Sequence, residues 1–218
     1  METTKTGTFL VDGIEFNEYP PPQSVIKAMK RVFAIQLRDH GILRMHNLAY
    51  YRKWENEALG DTNDGRGLFR VNGRPYSTGS ANPLYASCLS LPTITPNRLV
   101  YLATLGEYDC VVIINNTEEF LKRMRRWKAS QKPKWWLHSG LVKYNRGTEV
   151  SIDTLNDQKF HHNVFQKDPS YSDDLEYRIS LMDTDTNPYE HDFVDVSLGE
   201  CSDIVTVDGL PNRVKDGV

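Results

Sequence analysis

The sequence is poor in cysteine. Of its 218 residues only three are cysteines, and Cys88, Cys110 and Cys201 lie far apart. An odd number of widely separated cysteines argues against a disulfide framework and does not match the spacing of a zinc site. Cys88 and Cys110 lie in apolar runs, so we expect them to be buried core thiols. This use of cysteine favours a reducing compartment, the cytoplasm.

Long apolar runs are missing as well. No stretch approaches the ~20 apolar residues that cross a bilayer. The first residues lack the basic and apolar segments of a signal peptide. We therefore expect a cytoplasmic protein with no membrane partner. Hydrophobic residues make up 39% of the chain and charged residues 25%, a composition typical of a globular protein rather than a disordered one.

Familiar catalytic and metal-binding motifs are absent. There is no G-x-G-x-x-G after a strand, no P-loop, no G-x-S-x-G and no H-E-x-x-H. Residues 183–188 begin like a calcium loop, but Pro188 replaces the turn glycine and Val194 replaces the final glutamate. His161 and His162 are adjacent and have no nearby cysteine or helically spaced partner. The sequence therefore predicts no metal.

Charge is unevenly distributed along the chain. The net charge is −3, yet eleven Asp and Glu residues and a single Arg lie between Asp173 and Asp208. The preceding part is correspondingly basic. This asymmetry indicates either a basic face for an anionic partner and an acidic face elsewhere, or a solvated acidic tail. An acidic or apolar surface could also dock a partner protein.

Short apolar runs bounded by turn residues predict a mixed α+β fold, with mostly antiparallel sheets and a few flanking helices, in one domain over residues 1–218. Hairpins are predicted at 8–16, with a turn at Asp12-Gly13, and at 67–78, with a turn at Asn72-Gly73. Helices are predicted at 25–37 after Ser24, at 48–59 and at 117–130. Other strands are predicted at 42–46, 84–91, 109–114, 135–144, 175–182, 193–196 and 203–207.

A basic segment is a candidate nucleic-acid surface. Seven basic residues between Lys122 and Lys134 lie beside three tryptophans. Cationic groups neutralise phosphates, and indoles stack on bases. The candidate binding residues are Arg123, Arg125, Arg126, Lys128, Trp135 and Trp136. The alternative is an ordinary amphipathic helix that buries Phe120, Leu121, Met124 and Trp127 and leaves its charges in solvent.

Two carboxylates stand where a polar turn meets the strand at 175–182. In an extended segment alternate residues share a face, so Asp174 and Glu176 should point the same way. Two like charges on one face are unfavourable unless solvent, a cation or a substrate uses them. This pair is therefore the best candidate for catalysis.

Two earlier segments contain candidate nucleotide-binding residues. Residues 43–55 combine Arg44, His46, Tyr50 and Tyr51, which could hold a planar base and a phosphate together. The alternative there is an amphipathic helix with partly packed aromatic side chains. Ser87 and Ser90 interrupt an apolar strand, and they either bond to backbone groups or line a polar pocket.

Taken in order, these pieces resemble the ADP-ribosyltransferase-like superfamily. The early strand at 42–46 has an Arg and a His, the middle strand at 86–91 has serines, and the late strand at 174–179 is entered through a glutamate. A more closely similar group is an uncharacterised prokaryotic domain family found near defence and toxin genes. The residues similar to that family are Phe165, Lys167, Tyr171, Glu176, Tyr177, Arg178 and the stretch 43–61.

The chain departs from the superfamily pattern at two places. Ser87-Cys88-Leu89-Ser90 replaces the usual Ser-Thr-Ser triplet, which affects the nucleotide pocket. Asp174-Leu175-Glu176 replaces the Glu-x-Glu of many members, which affects the class of acceptor.

The resemblance implies a fold, a substrate and a set of roles. The fold would be ADP-ribosyltransferase-like, and NAD would be the substrate, with no metal. Glu176 would stabilise positive charge on ribose as nicotinamide leaves, and Asp174 would activate or orient the acceptor. Tyr50 or Tyr51 would stack on nicotinamide, while Arg44 or His46 would hold ribose or phosphate. Ser87 and Ser90 would line the nucleotide pocket.

We therefore expect an intracellular, NAD-dependent mono-ADP-ribosyltransferase that acts as a bacterial toxin or phage-defence effector. The basic segment favours nucleic acid, and RNA in particular, over protein as the acceptor. An antitoxin would then be the expected protein partner. The alternatives are a non-catalytic module that binds nucleic acid or a nucleotide, and a hydrolase that acts on a nucleotide.

Overall fold

The computed structural model describes residues 8–11, 14–17, 20–52, 61–152, 164–185 and 191–211, without side chains for 8–17 or for Tyr50 and Tyr51. In these ranges the chain is a mixed α+β protein with mostly antiparallel sheets, as the sequence predicts. Its strands are β1 (Thr8–Val11), β2 (Ile14–Asn17), β3 (Val25–Met29), β4 (Ile42–Asn47), β5 (Arg66–Val71), β6 (Arg74–Gly79), β7 (Leu84–Ser90), β8 (Cys110–Ile114), β9 (Trp136–Leu141), β10 (Thr148–Glu149), β11 (Glu176–Met182), β12 (Phe193–Ser197) and β13 (Val205–Gly209). Its helices are α1 (Arg31–His40), α2 (Leu48–Tyr51), α3 (Pro96–Leu105), α4 (Thr117–Gln131) and a 3₁₀ helix at Pro169–Asp174.

The main sheet has eight strands and divides at β7. One edge of β7 pairs along its whole length with β11, which in turn pairs with β9. The other edge pairs with β4 near its start, where His46 faces Ala86, and with β3 at its end, where Ile26 faces Ser90. Beyond these contacts β4 continues to β12, and β3 continues to β8 and β13. The sheet therefore opens between β4 and β3, beside the second half of β7.

The two small sheets agree with the predicted hairpins. Strands β5 and β6 pair on either side of Asn72-Gly73, and both turn residues have positive φ, as a type I′ turn requires. Strands β1 and β2 pair antiparallel, although the predicted turn at Asp12-Gly13 lies outside the described residues. Of the helix predicted at 48–59, α2 covers the first turn, and 53–60 are likewise outside the described residues.

The helix predicted at 25–37 is wrong in its first part. Val25–Met29 forms β3, which pairs with β8, and α1 begins only at Arg31. The apolar residues of this stretch fit a helical period, but its β-branched start is a strand that packs between two partners. The helix ends at Gly41, as predicted, with φ 65°. A Cβ there would clash with the Gly199 carbonyl oxygen.

Helix α3 is a second difference, because the sequence pattern predicts no element at 96–105. Its start carries clear signals: Thr95 accepts a hydrogen bond from the Arg98 backbone N–H at 3.2 Å, and Pro96 occupies the first turn. No helix in the described part of the chain is both long and apolar enough to cross a bilayer.

Strand β11 separates an apolar core from a charged layer. All seven of its residues are buried. Tyr177, Ile179 and Leu181 belong to the main core, which also takes in the buried side of α4. Glu176 and Arg178 alternate with them and lie opposite Ser90 and Cys88 of β7. A polar site is therefore held on the sheet face away from the core.

Candidate functional site

Seven charged side chains gather where the sheet opens, and we call them the Glu176 cluster. They come from β3, from the loop before β5, from α3, from the segment before the 3₁₀ helix, from its end and from β11. Glu176 is 4% exposed and Arg178 is fully buried. The members are Lys27, Asp64, Arg98, Lys167, Asp174, Glu176 and Arg178.

Both carboxylate oxygens of Glu176 are paired with cations. Arg178 Nε donates to one oxygen at 2.7 Å, and Lys167 Nζ lies 2.7 Å from the other. Burial alone would raise the pKa of Glu176, but the Arg178 and Lys167 cations outweigh it and hold that pKa well below its usual range. Glu176 is therefore ionised. A carboxylate has about four lone-pair sites, so it can still accept a hydrogen bond from a ligand.

Asp174 does not share an extended segment with Glu176, which corrects the geometry expected from the sequence. Asp174 is the last residue of the 3₁₀ helix, and Leu175 has a left-handed conformation with φ 44°. Arg98 of α3 holds Asp174 through hydrogen bonds of 2.9 and 2.7 Å. Burial raises the pKa of Asp174. The two carboxylates nevertheless line the same cavity.

This cavity has a volume of about 120 Å³ and lies between β3, the end of β7, α3 and the start of β11. Ser90 and Tyr108 line it together with Asp174, Glu176 and the ammonium-bearing side chains Lys27 and Lys167. Apolar walls are supplied by α3, through Leu99 and Leu102. A small space with an ionised carboxylate and a hydroxyl in its wall is suited to a hydroxylated ring.

Lys27 is a site residue that the sequence analysis missed. Its Nζ donates to the Cys88 carbonyl oxygen at 2.6 Å, and burial lowers its pKa. Each carboxylate of the cluster has an Arg or Lys partner within 2.7 Å. Among the described residues, Lys27 has no carboxylate within ion-pair distance. A lysine in the apolar run Val-Ile-Lys-Ala-Met was the available signal.

Cys88 is half-buried beside the same network. Burial and the Glu176 charge raise the pKa of its thiol to about 12. The thiol is therefore neutral near pH 7. Cys88 lines the cavity and is not the buried core thiol expected from the sequence, whereas Cys110 is buried in the main core.

Three of the four predicted nucleotide-binding residues whose side chains are described do not line the Glu176 cavity. Arg44 lies on β4, forms two 2.8 Å hydrogen bonds with Asp195, and stacks 3.8 Å above the Phe193 ring. His46 contacts the same ring edge-on. Ser87 is buried on the opposite face of β7 from Ser90. Ser90 alone of the predicted serines lines the cavity, and the side chains of Tyr50 and Tyr51 lie outside the described residues.

The predicted nucleic-acid residues are only partly available. Trp135 is buried, stacks on Tyr85 at 5.5 Å and holds the Lys132 ammonium 4.7 Å from its ring centroid, so in this arrangement neither ring face is open to a base. Arg123 pairs with Glu119 and Asp203. Two further candidates have partners within the chain, because Arg126 pairs with Glu119 and Lys128 donates to the Pro133 carbonyl. The other two are accessible to solvent: Arg125 is exposed and Trp136 is 44% exposed. The helix buries Phe120, Leu121 and Met124, as the amphipathic alternative predicts, and Trp127 is only partly buried against the core.

The described ranges contain no group of three or more His, Cys, Asp or Glu that could hold a metal ion. His161 and His162 lie outside those ranges. No protein-family model matches the chain, and no curated protein or solved structure is significantly similar to it.

Proposed function

We propose that the Glu176 cavity binds a ribosyl group of NAD and that the protein is an NAD-dependent mono-ADP-ribosyltransferase with an ADP-ribosyltransferase-like fold. One observation carries the proposal: a buried, ionised carboxylate forms part of the wall of a cavity, directly across from the Ser90 hydroxyl on the neighbouring strand. A carboxylate in this position accepts a ribose hydroxyl and favours positive charge on the sugar.

The reaction breaks the bond between the ribose anomeric carbon and the nicotinamide nitrogen. The bonding electrons leave with nicotinamide, and the sugar becomes cationic beside Glu176. An acceptor nucleophile then forms the new bond to the anomeric carbon and loses its proton. Asp174, whose pKa is raised by burial, is the carboxylate placed to take that proton.

The size of the cavity limits how NAD binds. Pockets that enclose a whole small-molecule ligand measure about 300–1,000 Å³, and this one measures about 120 Å³. It therefore takes one ring, and the rest of the dinucleotide lies outside it. Lys27 on the cavity wall forms no ion pair with a carboxylate among the described residues, so its ammonium is available to the anionic diphosphate where the dinucleotide leaves the cavity.

A second candidate function is supported by the ion pairs of Glu176. Two cations at 2.7 Å weaken the field that this carboxylate exerts on a sugar cation. The same cavity would then bind a nucleotide without turning it over. This is the non-catalytic module considered from the sequence.

The experiment that separates the two candidates measures nicotinamide release, transfer of labelled ADP-ribose to RNA, DNA and protein, and NAD binding by calorimetry. The proposal predicts release and transfer by the wild-type protein and a loss of about 100-fold or more in Glu176→Gln. Asp208→Asn, at an exposed position on β13, is the matched carboxylate control and should keep full activity.

Two controls distinguish a loss of catalysis from a loss of folding or of NAD binding. Glu176→Gln breaks buried ion pairs, so its folding is verified by circular dichroism, and Lys27→Met provides a second variant in which NAD binding should weaken. Binding without release would favour the non-catalytic module. Release without transfer would indicate a hydrolase, and wild-type activity that survives Glu176→Gln would remove the catalytic role from this residue.

The proposal also covers the acceptor of the ADP-ribosyl group and the biological role of the protein. We infer RNA as the acceptor from the exposed cations of α4, and a role as a toxin or phage-defence effector from the family resemblance. An antitoxin partner would follow from that role. Co-expression in bacteria tests it, since a toxin should arrest growth and Glu176→Gln should not.

A further inference from the structure

A second cavity lies away from the Glu176 cluster, beside the edge strand β12. Its volume is about 410 Å³, within the range of about 300–1,000 Å³ for small-molecule pockets. Its walls combine aromatic rings with carboxylates. The residues that matter for its chemistry are Tyr85, Lys132, Trp135, Asp183, Asp185 and Phe193.

Three carboxylates line this cavity, and two of them, Asp183 and Asp185, have no ion pair within the described residues, whereas Asp195 is paired with Arg44. Asp183 directly follows β11 and is only 5% exposed. It accepts a hydrogen bond from the Asp185 backbone N–H at 2.9 Å, and Asp185 accepts one from Trp135 Nε1 at 3.2 Å. Neither has a Lys or Arg partner in the described part of the chain. Because a buried carboxylate is costly without a cation, the cavity favours a positively charged occupant.

A lysine already occupies the aromatic wall. Lys132 Nζ lies 4.7 Å from the centroid of the Trp135 ring, which stacks on Tyr85. Among the described residues Lys132 forms no ion pair, so the ring face is its main electrostatic partner. An ammonium group held over an indole is the interaction through which aromatic pockets recognise organic cations.

We propose that this cavity is a binding site for an organic cation, an ammonium or alkylated ammonium group, which replaces the Lys132 ammonium over Trp135. The Trp135 face and the Asp183 and Asp185 carboxylates would contact the charged end of the ligand. Phe193, which is 40% exposed, would cover its alkyl part. A metal ion would gain nothing from the aromatic walls, and the carboxylates would repel a phosphate.

Calorimetric titration of the full chain with choline tests this site, with 3,3-dimethyl-1-butanol as the uncharged isostere, at constant ionic strength. We expect choline to bind at least about tenfold more tightly than the isostere, because the cation–π and carboxylate contacts need a positive charge. Asp183→Asn should weaken choline binding by about tenfold, while Asp208→Asn should leave it unchanged.

Lys132→Met gives the most discriminating result, because it removes the competing ammonium while keeping the apolar stem. Choline binding should become tighter, and binding of the isostere should not change. This variant does not disturb a buried charge, so it remains informative even if Asp183→Asn fails to fold. Equal binding of choline and its isostere, or no choline binding by both the wild type and Lys132→Met, would overturn the proposal.

Discussion

At the scale of the residue, Arg178 holds the Glu176 cluster together. Its guanidinium is fully buried and donates to Glu176 at 2.7 Å, to Asp64 at 2.7 Å and to the Val164 carbonyl at 2.6 Å. One side chain therefore ties β11 to the loop before β5 and to the segment before the 3₁₀ helix. Removing one member of a buried ion pair leaves the other charge uncompensated in a low-dielectric environment.

We expect Arg178→Met to reduce the free energy of unfolding by about 3–5 kcal/mol, because Glu176 and Asp64 would lose their cation. Urea denaturation measures this change. Arg44→Met is the matched control, since Arg44 also forms a two-bond pair with an aspartate but is 40% exposed. Exposed pairs of this kind contribute about 0–1 kcal/mol. Equal losses in the two variants would contradict a structural role for Arg178.

The sequence identifies part of this site and misses the rest for a physical reason. Glu176 and Asp174 can be identified as candidate site residues from the sequence, because carboxylates beside an apolar strand are unfavourable unless a cation, solvent or a substrate interacts with them. Lys27 is not, because its stretch fits a helical period as well as a strand. Arg44 and His46 belong to a correctly predicted strand, yet the opening between β4 and β3 leaves them outside the cavity. That opening depends on long-range strand pairing, which no local pattern encodes.

At the scale of the element, two strands of the main sheet, β9 and β4, each contain a histidine with a lowered pKa. On β9, His138 faces Ser180 of β11, and burial lowers the pKa of His138 from 6.5 to about 4. Burial, together with the Lys27 and Arg44 cations, lowers the pKa of His46 in the same direction. The folded state thus favours neutral imidazoles, whereas the unfolded chain protonates them near their ordinary pKa.

The stability of this sheet should fall as the pH is lowered from about 6.5 towards 4. A histidine with a lowered pKa in the folded state binds its proton more tightly when unfolded, so its contribution is complete above 6.5 and is lost below it. The slope approaches about 1.4 kcal/mol per pH unit for one such group. Urea unfolding at pH 7, 6 and 5 measures it.

His138→Gln should flatten this pH dependence, and His40→Gln, at the exposed end of α1, should retain it. Glu176 cannot produce the effect in this range, because a carboxylate with a lowered pKa loses its contribution only as the pH falls below its unfolded value of 4.5. An unchanged slope in His138→Gln would rule out His138 as the source.

At the scale of the whole molecule, contacts within the chain neutralise part of the uneven charge of the sequence. The acidic C-terminal part supplies Asp195 to Arg44 and Asp203 to Arg123. It also supplies Glu176 to Lys167. The composition indicated either a basic and an acidic face or a solvated acidic tail, but linear counting cannot show which charges meet after folding. The pairing reduces the positive potential that α4 offers to an anionic partner.

This pairing leads to a quantitative expectation for RNA binding. Five of the seven basic residues between Lys122 and Lys134 have a side-chain ion pair, hydrogen bond or ring contact, and within the described residues only the Arg125 and Lys134 side chains have none. The slope of log K against log salt is about −0.7 per phosphate contact for single strands. We therefore expect a slope of about −1 to −2 with single-stranded RNA, rather than the roughly −5 that seven free cations would give.

Fluorescence anisotropy at several salt concentrations measures that slope. Arg125→Ala should make it shallower by about 0.7, because one phosphate contact is lost. Arg123→Ala should leave the slope unchanged, since the Arg123 guanidinium is already bound to Asp203 and the Glu200 carbonyl, and it should lower stability instead. A slope near −5 would mean that RNA breaks the ion pairs of α4, and salt-independent binding would remove this helix from the RNA interface.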